Sequence, residues 1–298
     1  MKIGVFGLGS MGYGMATSLM RSGHQVYGAD INPASVTRLR TEGGSPQDAL
    51  SAVAELDAVT VVVLNAAQAE DVLFGERGVV AGLSAEAVVI LCVTVAPDYA
   101  RSVAKRCAAR GIDFLDAPIS GGSVKAAQGK LSIMASGHPS AFKKARPALD
   151  AMAETVFELG DTAGAGSAMK AVNQMLAGVH IAAMAEAITF GMTQGIDPET
   201  FMKVIPRCAG TSWMLENRAP HIVAGDYTPR SAVDIWPKDL GIVLDAARAS
   251  KFAAPVTAAA LQQFLAASGM GLGREDDAAV AKVYARNSSL KLPGTDET

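Results

Sequence analysis

The sequence predicts an N-terminal doubly wound α/β domain with a mostly parallel sheet, followed by an all-helical C-terminal domain that begins with a long joining helix. Short apolar runs alternate with helical patterns in the first half, which is typical of parallel strands covered by helices on both faces. After Gly160 the strand pattern stops, and residues 164–195 contain few helix breakers. We therefore expect domains at 1–162 and 163–298. The five clearest apolar runs lie at 2–6, 25–29, 58–64, 88–93 and 112–116.

Weaker strand patterns cover 133–135 and 155–159. In the second domain, helix starts marked by Asp, Glu or Pro predict further helices. One of these helices should begin at Pro198, and the others should cover about 236–250, 255–267 and 275–286.

Composition and charge exclude several classes of protein. Half of the 298 residues are apolar, and the formal net charge is −3, so there is no basic footprint for nucleic acid or for a membrane surface. The three cysteines are far apart and the four histidines do not cluster, so neither a metal site nor a disulfide framework is expected. Neither a signal peptide nor an apolar run long enough to span a bilayer stands out, and we expect a cytoplasmic protein.

A glycine-rich turn follows the first predicted strand and opens a helix. It fits G-x-G-x-x-G, in which the glycines allow a tight turn, close approach of the backbone to a pyrophosphate, and close packing of the helix on the strand. The unpaired amides of the helix N-terminus then face the phosphates. The turn predicts a Rossmann-type dinucleotide site formed by Gly7, Leu8, Gly9, Ser10, Met11 and Gly12.

An acidic residue at the end of the second strand supports this interpretation. Asp30 lies 18 residues after Gly12 and is followed by Ile31, Asn32 and Pro33, not by arginine. A carboxylate there accepts both ribose hydroxyls of NAD and repels the additional phosphate of NADP. We therefore expect NAD as the cofactor. The alternative is a glycine-rich turn beside an ordinary surface aspartate.

Two further patterns carry possible chemistry. Ser120, Gly121 and Gly122 follow the strand that ends at Asp116, and such a run of small residues can present backbone amides and a hydroxyl to a carboxylate. Lys170 and Asn173 lie three residues apart on the long predicted helix and so share one face. A lysine that takes up a proton could serve oxidation of an alcohol. The alternatives are an ordinary strand-to-loop turn and a solvated helix lysine.

Taken in order, the stretches GLGSMGYGMA, DAPISGG, K-x-x-N and KDL resemble those of the β-hydroxyacid dehydrogenases. This family includes 3-hydroxyisobutyrate dehydrogenase, tartronate semialdehyde reductase and the phosphogluconate dehydrogenases. The resemblance extends over nearly the whole chain. It implies NAD-dependent oxidation of a small hydroxy acid by a homodimer or homotetramer.

The resemblance also implies roles for individual residues. Lys170 would be the catalytic acid/base, Ser120, Gly121 and Gly122 would bind the substrate carboxylate, and Asn173 would orient the substrate. Lys238 would lie where cofactor and substrate meet. Two further residues are expected beside the cofactor, Asn65 and Thr94.

The chain departs from the hydroxyisobutyrate type at two places expected near ligand. Asn65-Ala66 replaces Leu-Pro, and Gln174 replaces a second asparagine. A more polar pocket suits a polyhydroxylated substrate, because each buried hydroxyl needs a partner. A hydroxyisobutyrate dehydrogenase and a semialdehyde reductase remain alternatives. A catalytically silent nucleotide-sensing module is a third, and the presence of Lys170 argues against it.

Overall fold

The computed structural model of the protein describes residues 1–295. The chain divides into two compact units, one covering Met1–Lys170 and the other starting at Ala171. The boundary expected at 162/163 stays a prediction.

The first unit contains the strands β1 (Lys2–Phe6), β2 (Gln25–Ala29), β3 (Ala58–Val61), β4 (Val88–Leu91) and β5 (Asp113–Asp116). They form a five-stranded, fully parallel sheet with the strand order β2-β1-β3-β4-β5. All residues of β3 and β4 are buried, which explains why these strands appear in the sequence as continuous apolar runs without alternation. The predicted parallel sheet is confirmed.

Helices cover both faces of this sheet. Ile3 and Val5 of β1 belong to an apolar cluster on one face, and Val59 and Val61 of β3 belong to a second cluster on the other face. Several of these helices begin with a proline at the first or second position, where its missing N–H costs nothing. They are α1 (Gly12–Arg21), α2 (Pro33–Thr41), α3 (Ala66–Phe74), α4 (Pro97–Ala108), α5 (Gly122–Gln128) and α6 (Pro139–Met152).

A second, three-stranded sheet completes the first unit. Its strands are β6 (Ile119–Ser120), β7 (Leu131–Ala135) and β8 (Ala153–Glu158), in that order. β6 and β7 are antiparallel, whereas β7 and β8 are parallel. The weak strand patterns at 133–135 and 155–159 fall on β7 and β8. β6 was not predicted, because two residues are too short to show a periodicity.

The second unit is helical, as predicted. Among its described residues there is no strand, only an isolated bridge between Ala232 and Asp276. Its core includes Trp236 and Phe264, whose rings stack with centroids 5.4 Å apart. The long predicted helix is α7 (Ala165–Thr193), which begins in the first unit and continues in the second. The others are α8 (Pro198–Val204), α9 (Trp213–Ala224), α10 (Ile235–Ala249), α11 (Pro255–Ala267) and α12 (Ala281–Asn287).

By length and composition alone, α7 is long and apolar enough to cross a membrane. The expectation that no apolar run reaches this length is therefore wrong. The core helix of a soluble protein passes the same test. Ile181, Met184, Ala185 and Ile188 of α7 are buried in the core of the second unit, with the spacing of a helix that packs one face against other helices.

Candidate active site

The glycine-rich turn lies at the carboxyl edge of the parallel sheet, where the strand order changes direction. β2 and β3 flank β1 on opposite sides, and such a switch point is where open α/β sheets bind ligands. Gly7 has a φ of 97°. A methyl group at Gly7 would clash with the carbonyl oxygen of Val62, and one at Gly12 with the carbonyl oxygen of Gly7. Gly9 has no atom within 4 Å of such a methyl group, so its backbone is open to a ligand.

Asp30 fixes this turn to the end of β2. The Leu8 amide donates to Asp30 Oδ2 over 2.6 Å, and the Asn32 amide donates to Oδ1 over 2.7 Å. The carboxylate is only partly buried, and a carboxylate has about four acceptor positions. Asp30 can therefore hold the turn and still accept hydrogen bonds from the hydroxyls of a ribose.

A groove of about 490 Å³ runs beside the turn, lined in part by Leu8, Gly9 and Ser10. Arg38 also lines it and already has two partners. Its guanidinium lies 4.2 Å from the ring centroid of Tyr13, and its Nε is 2.9 Å from Glu42 Oε1. Burial raises the pKa of Tyr13 to about 12, so this residue stays a neutral phenol. Three features together fit a dinucleotide: the open backbone of the glycine-rich turn, the N-terminus of α1, and the carboxylate of Asp30 at the end of β2.

Asn65 and Thr94 follow the carboxyl ends of the neighbouring strands β3 and β4. The Asn65 side chain caps α3 by accepting from the Gln68 amide over 2.9 Å, and Gln68 Oε1 accepts from the Leu64 amide over 2.9 Å. Thr94 is partly exposed. The structure thus places both residues at the same sheet edge as the glycine-rich turn.

Ser120, Gly121 and Gly122 form the junction between β6 and α5. Gly121 and Gly122 have φ values of 137° and 77°, a region of backbone conformation that favours glycine. Gly122 is exposed, and a methyl group there would meet no atom within 4 Å. The junction therefore presents accessible backbone beside the Ser120 side chain.

Lys170 lies next to this junction. Its Nζ donates to the carbonyl oxygen of Ile119 over 2.8 Å, and the residue is only 8% exposed. Ile119 directly precedes Ser120 in the chain. The structure therefore brings the predicted acid/base and the predicted carboxylate-binding residues together within the first unit.

In the second unit, a chain of hydrogen bonds connects Asn173 with Lys238. Asn173 Nδ2 donates to Gln174 Oε1 over 2.9 Å, and Gln174 Nε2 donates to Asp239 Oδ2 over 2.5 Å. Lys238 Nζ donates to Asp239 Oδ1 over 2.5 Å. Asp239 is 2% exposed. No role for Asp239 is evident from the sequence alone, yet this residue links the two predicted ligand-binding residues.

Asp116, whose role is likewise not evident from the sequence alone, is fully buried at the end of β5. Its carboxylate accepts hydrogen bonds from Gly164 and Ser167 at the start of α7.

Among the residues that the structure describes, no group of three or more His, Cys, Asp or Glu side chains could hold a metal ion.

Comparisons with known proteins match both parts of the chain to families. Residues 2–160 match the NAD-binding domain of 6-phosphogluconate dehydrogenase. Residues 164–284 match the family described as NAD-binding of NADP-dependent 3-hydroxyisobutyrate dehydrogenase.

Individual relatives match over nearly the full length. The chain is 48% identical to the L-threonate dehydrogenase of Cupriavidus necator, covering 99% of each protein. It is 45% identical to the L-threonate dehydrogenase of Escherichia coli K12, covering 98% of this chain and 96% of the relative. The crystal structure of 3-hydroxyisobutyrate dehydrogenase from Salmonella typhimurium superimposes with a TM-score of 0.90 and 45% identity, covering 95% of this chain and 99% of that one.

Proposed function

Because this chain belongs to the β-hydroxyacid dehydrogenase family, whose members oxidise small hydroxy acids with a nicotinamide cofactor, we propose that its substrate is L-threonate and its product 2-dehydro-L-erythronate. Five relatives that are 43–48% identical over at least 98% of this chain are L-threonate dehydrogenases. The observation that carries the chemistry is the buried Lys170 amine on the Ile119 carbonyl, directly beside Ser120.

Lys170 is proposed to take the proton from the C2 hydroxyl of the substrate. A bound NAD⁺ would supply the acceptor for the hydride on C2, and loss of this hydride together with the hydroxyl proton would leave a carbonyl at C2. A lysine can accept the proton only as a neutral amine. The Ile119 carbonyl supports this role, because it fixes the position of Nζ beside the loop that would hold the substrate.

The remaining proposed contacts divide between cofactor and substrate. Residues 7–12, Asp30, Asn65 and Thr94 would bind NAD, and all of them follow carboxyl ends of strands in one sheet. Ser120, Gly121 and Gly122 would bind the substrate carboxylate through the hydroxyl and the open backbone. Asn173 would orient the substrate and Lys238 would bind cofactor and substrate. The Gln174–Asp239 link supports these last two roles, because it restrains both side chains.

A second candidate is 3-hydroxyisobutyrate dehydrogenase activity, because the Salmonella typhimurium structure of that name is 45% identical. Tartronate semialdehyde reductase activity is a further alternative. NADH production should be compared for L-threonate, its stereoisomers, glycerate and 3-hydroxyisobutyrate, with NADP⁺ in parallel. We expect the highest kcat/KM for L-threonate with NAD⁺. A higher kcat/KM for 3-hydroxyisobutyrate would contradict the proposed substrate.

The role of Lys170 has its own test. Lys170→Ala should lower kcat by at least about 100-fold, the lower end of what general acid–base catalysis contributes, while NADH binding measured by fluorescence is retained. Lys130→Ala, an exposed lysine of the same unit, is the control and should leave kcat unchanged. Unchanged turnover in Lys170→Ala would refute the assignment.

We further propose that the protein is cytoplasmic, works as a homodimer or homotetramer, and has no nucleic-acid or membrane partner. The dehydrogenase relatives and the absence of a basic sequence bias support this view. Light scattering of the purified protein gives the subunit number.

A further inference from the structure

We propose that Asp116 is a positioning residue for catalysis: it fixes the start of α7 on the end of β5 and thereby places Lys170. This inference rests on the role proposed above for Lys170.

The contacts of Asp116 are directed at the first turn of α7. Asp116 Oδ2 accepts from the amides of Gly164 and Ser167 over 2.9 and 2.8 Å. Asp116 Oδ1 accepts from the Ser167 hydroxyl over 2.6 Å. The Ser136 hydroxyl lies 3.4 Å from Oδ2 and accepts from the Gly166 amide over 3.0 Å. Three backbone amides at the start of α7 therefore obtain acceptors from distant side chains.

These contacts solve a physical problem of the helix start. The first amides of an α-helix have no partner within the helix and must find one elsewhere. A negative charge at this end also interacts favourably with the helix dipole. Burial raises the pKa of Asp116, although the hydrogen bonds from Ser167 and Gly164 act in the opposite direction. A buried carboxylate needs hydrogen-bond donors, and for Asp116 the residues at the start of α7 provide them.

The backbone of α7 also lies very close to the strand ends. A methyl group on Gly166 would clash with the carbonyl oxygens of Met134 and Asp116. The fit therefore permits no side chain at Gly166, and α7 cannot move toward the sheet or be displaced from it without loss of these contacts.

Lys170 follows one helical turn after Ser167, on the same face of the helix. Its Nζ contacts Ile119, only three residues after Asp116. One short segment, residues 116–119, therefore holds both the start of the helix and the amine that the helix carries. Loss of the contacts between Asp116 and the start of α7 should therefore displace the Lys170 amine from Ile119.

The test compares Asp116→Ala with Asp116→Asn in the full-length enzyme, with L-threonate and NAD⁺. Asp116→Ala should lower kcat by roughly 10- to 100-fold, since small displacements of a catalytic group can have effects of this size. It should change the pH dependence of kcat, leave the Kd for NADH within about twofold of wild type, and speed hydrogen exchange of the amides at 164–167. Asp116→Asn retains an acceptor oxygen, so it should recover part of kcat.

Asp113→Ala is the matched control. Asp113 lies at the opposite end of β5 and accepts from the Ser140 hydroxyl over 2.7 Å and from Lys144 over 3.0 Å. It should lower stability without changing the pH dependence of kcat. If Asp116→Ala does not fold, Ser167→Ala perturbs the same contact and should lower kcat in the same way.

Two results would overturn the inference. In the first, the variants at the start of α7 keep the wild-type kcat and pH dependence. In the second, they lose activity only in proportion to the unfolded fraction, as Asp113→Ala does. Full turnover in Lys170→Ala would instead refute the proposed function, so the two failures are distinguishable.

Discussion

The glycine-rich turn predicts opposite outcomes for two substitutions that look equivalent in the sequence. Gly9→Ala adds a methyl group where no atom lies within 4 Å. The free energy of unfolding should therefore change by no more than about 0.5 kcal/mol. The same methyl group should prevent close approach of the cofactor phosphates. Loss of one charge-assisted hydrogen bond, about 1.5–3 kcal/mol, corresponds to a roughly 10- to 150-fold weaker NADH affinity.

Gly12→Ala should act on folding instead. Its methyl group would clash with the Gly7 carbonyl oxygen, and backbone cannot rotate away as a flexible side chain can. Overpacking of this kind costs about 1–3 kcal/mol, and we expect the upper end of that range. The two glycines, three residues apart, should therefore separate cofactor binding from stability.

Urea unfolding and fluorescence titration with NADH measure the two effects. Gly210→Ala is the control, because Gly210 of the second unit also has no atom within 4 Å of an added methyl group. It should change neither quantity. The reasoning is refuted if Gly9→Ala binds NADH like wild type, or if Gly9→Ala destabilises the protein as much as Gly12→Ala.

Three further predictions concern buried or partly buried carboxylates. Asp30→Ser should raise KM for NAD⁺ about tenfold and lower KM for NADP⁺, because the repelling charge is removed; a constant ratio of the two KM values would contradict this. Asp239→Asn should reduce the free energy of unfolding by about 1–3 kcal/mol and lower kcat/KM for L-threonate, whereas Asp245→Asn, exposed on the same helix, should do neither. Burial by itself raises the pKa of Asp276, but hydrogen bonds, first of all from His221, outweigh it and lower the pKa. Asp276 should therefore stabilise the protein above its ordinary pKa of about 4, and this contribution should disappear as the pH falls through the lowered value. Urea unfolding of Asp276→Asn and wild type should differ at pH 7 and converge in acid, and a difference that grows in acid would disprove this.

Local patterns in the sequence were sufficient for the parallel sheet, the glycine-rich turn and α7. Each of these features is visible in consecutive residues: the strands are continuous apolar runs, the turn has closely spaced glycines, and α7 contains few helix breakers. One helix, α9, could not be predicted from local patterns. α9 contains Pro220, a residue that usually ends a helix, and no helix was predicted there.

The roles of Asp116 and Asp239 depend on partners far along the chain. Asp116 and Ser167 are 51 residues apart, and Gln174 and Asp239 are 65 residues apart. No periodicity records which residues at such a separation will meet, although each aspartate stands inside a stretch that the sequence had already marked. Proximity in the sequence to a functional stretch was therefore the available signal, and only the fold showed what these carboxylates do.

The segment 116–119 also bears on how this enzyme can be redesigned. The Asp116 carboxylate anchors the start of α7, and the Ile119 carbonyl accepts from the amine. The distance between these two groups depends on the number of residues between them. Libraries that diversify the adjoining loop should therefore substitute residues without inserting or deleting any between Asp116 and Ile119. Changes in loop length are better placed at the exposed residues 84–86, which lie between a short 3-10 helix and β4.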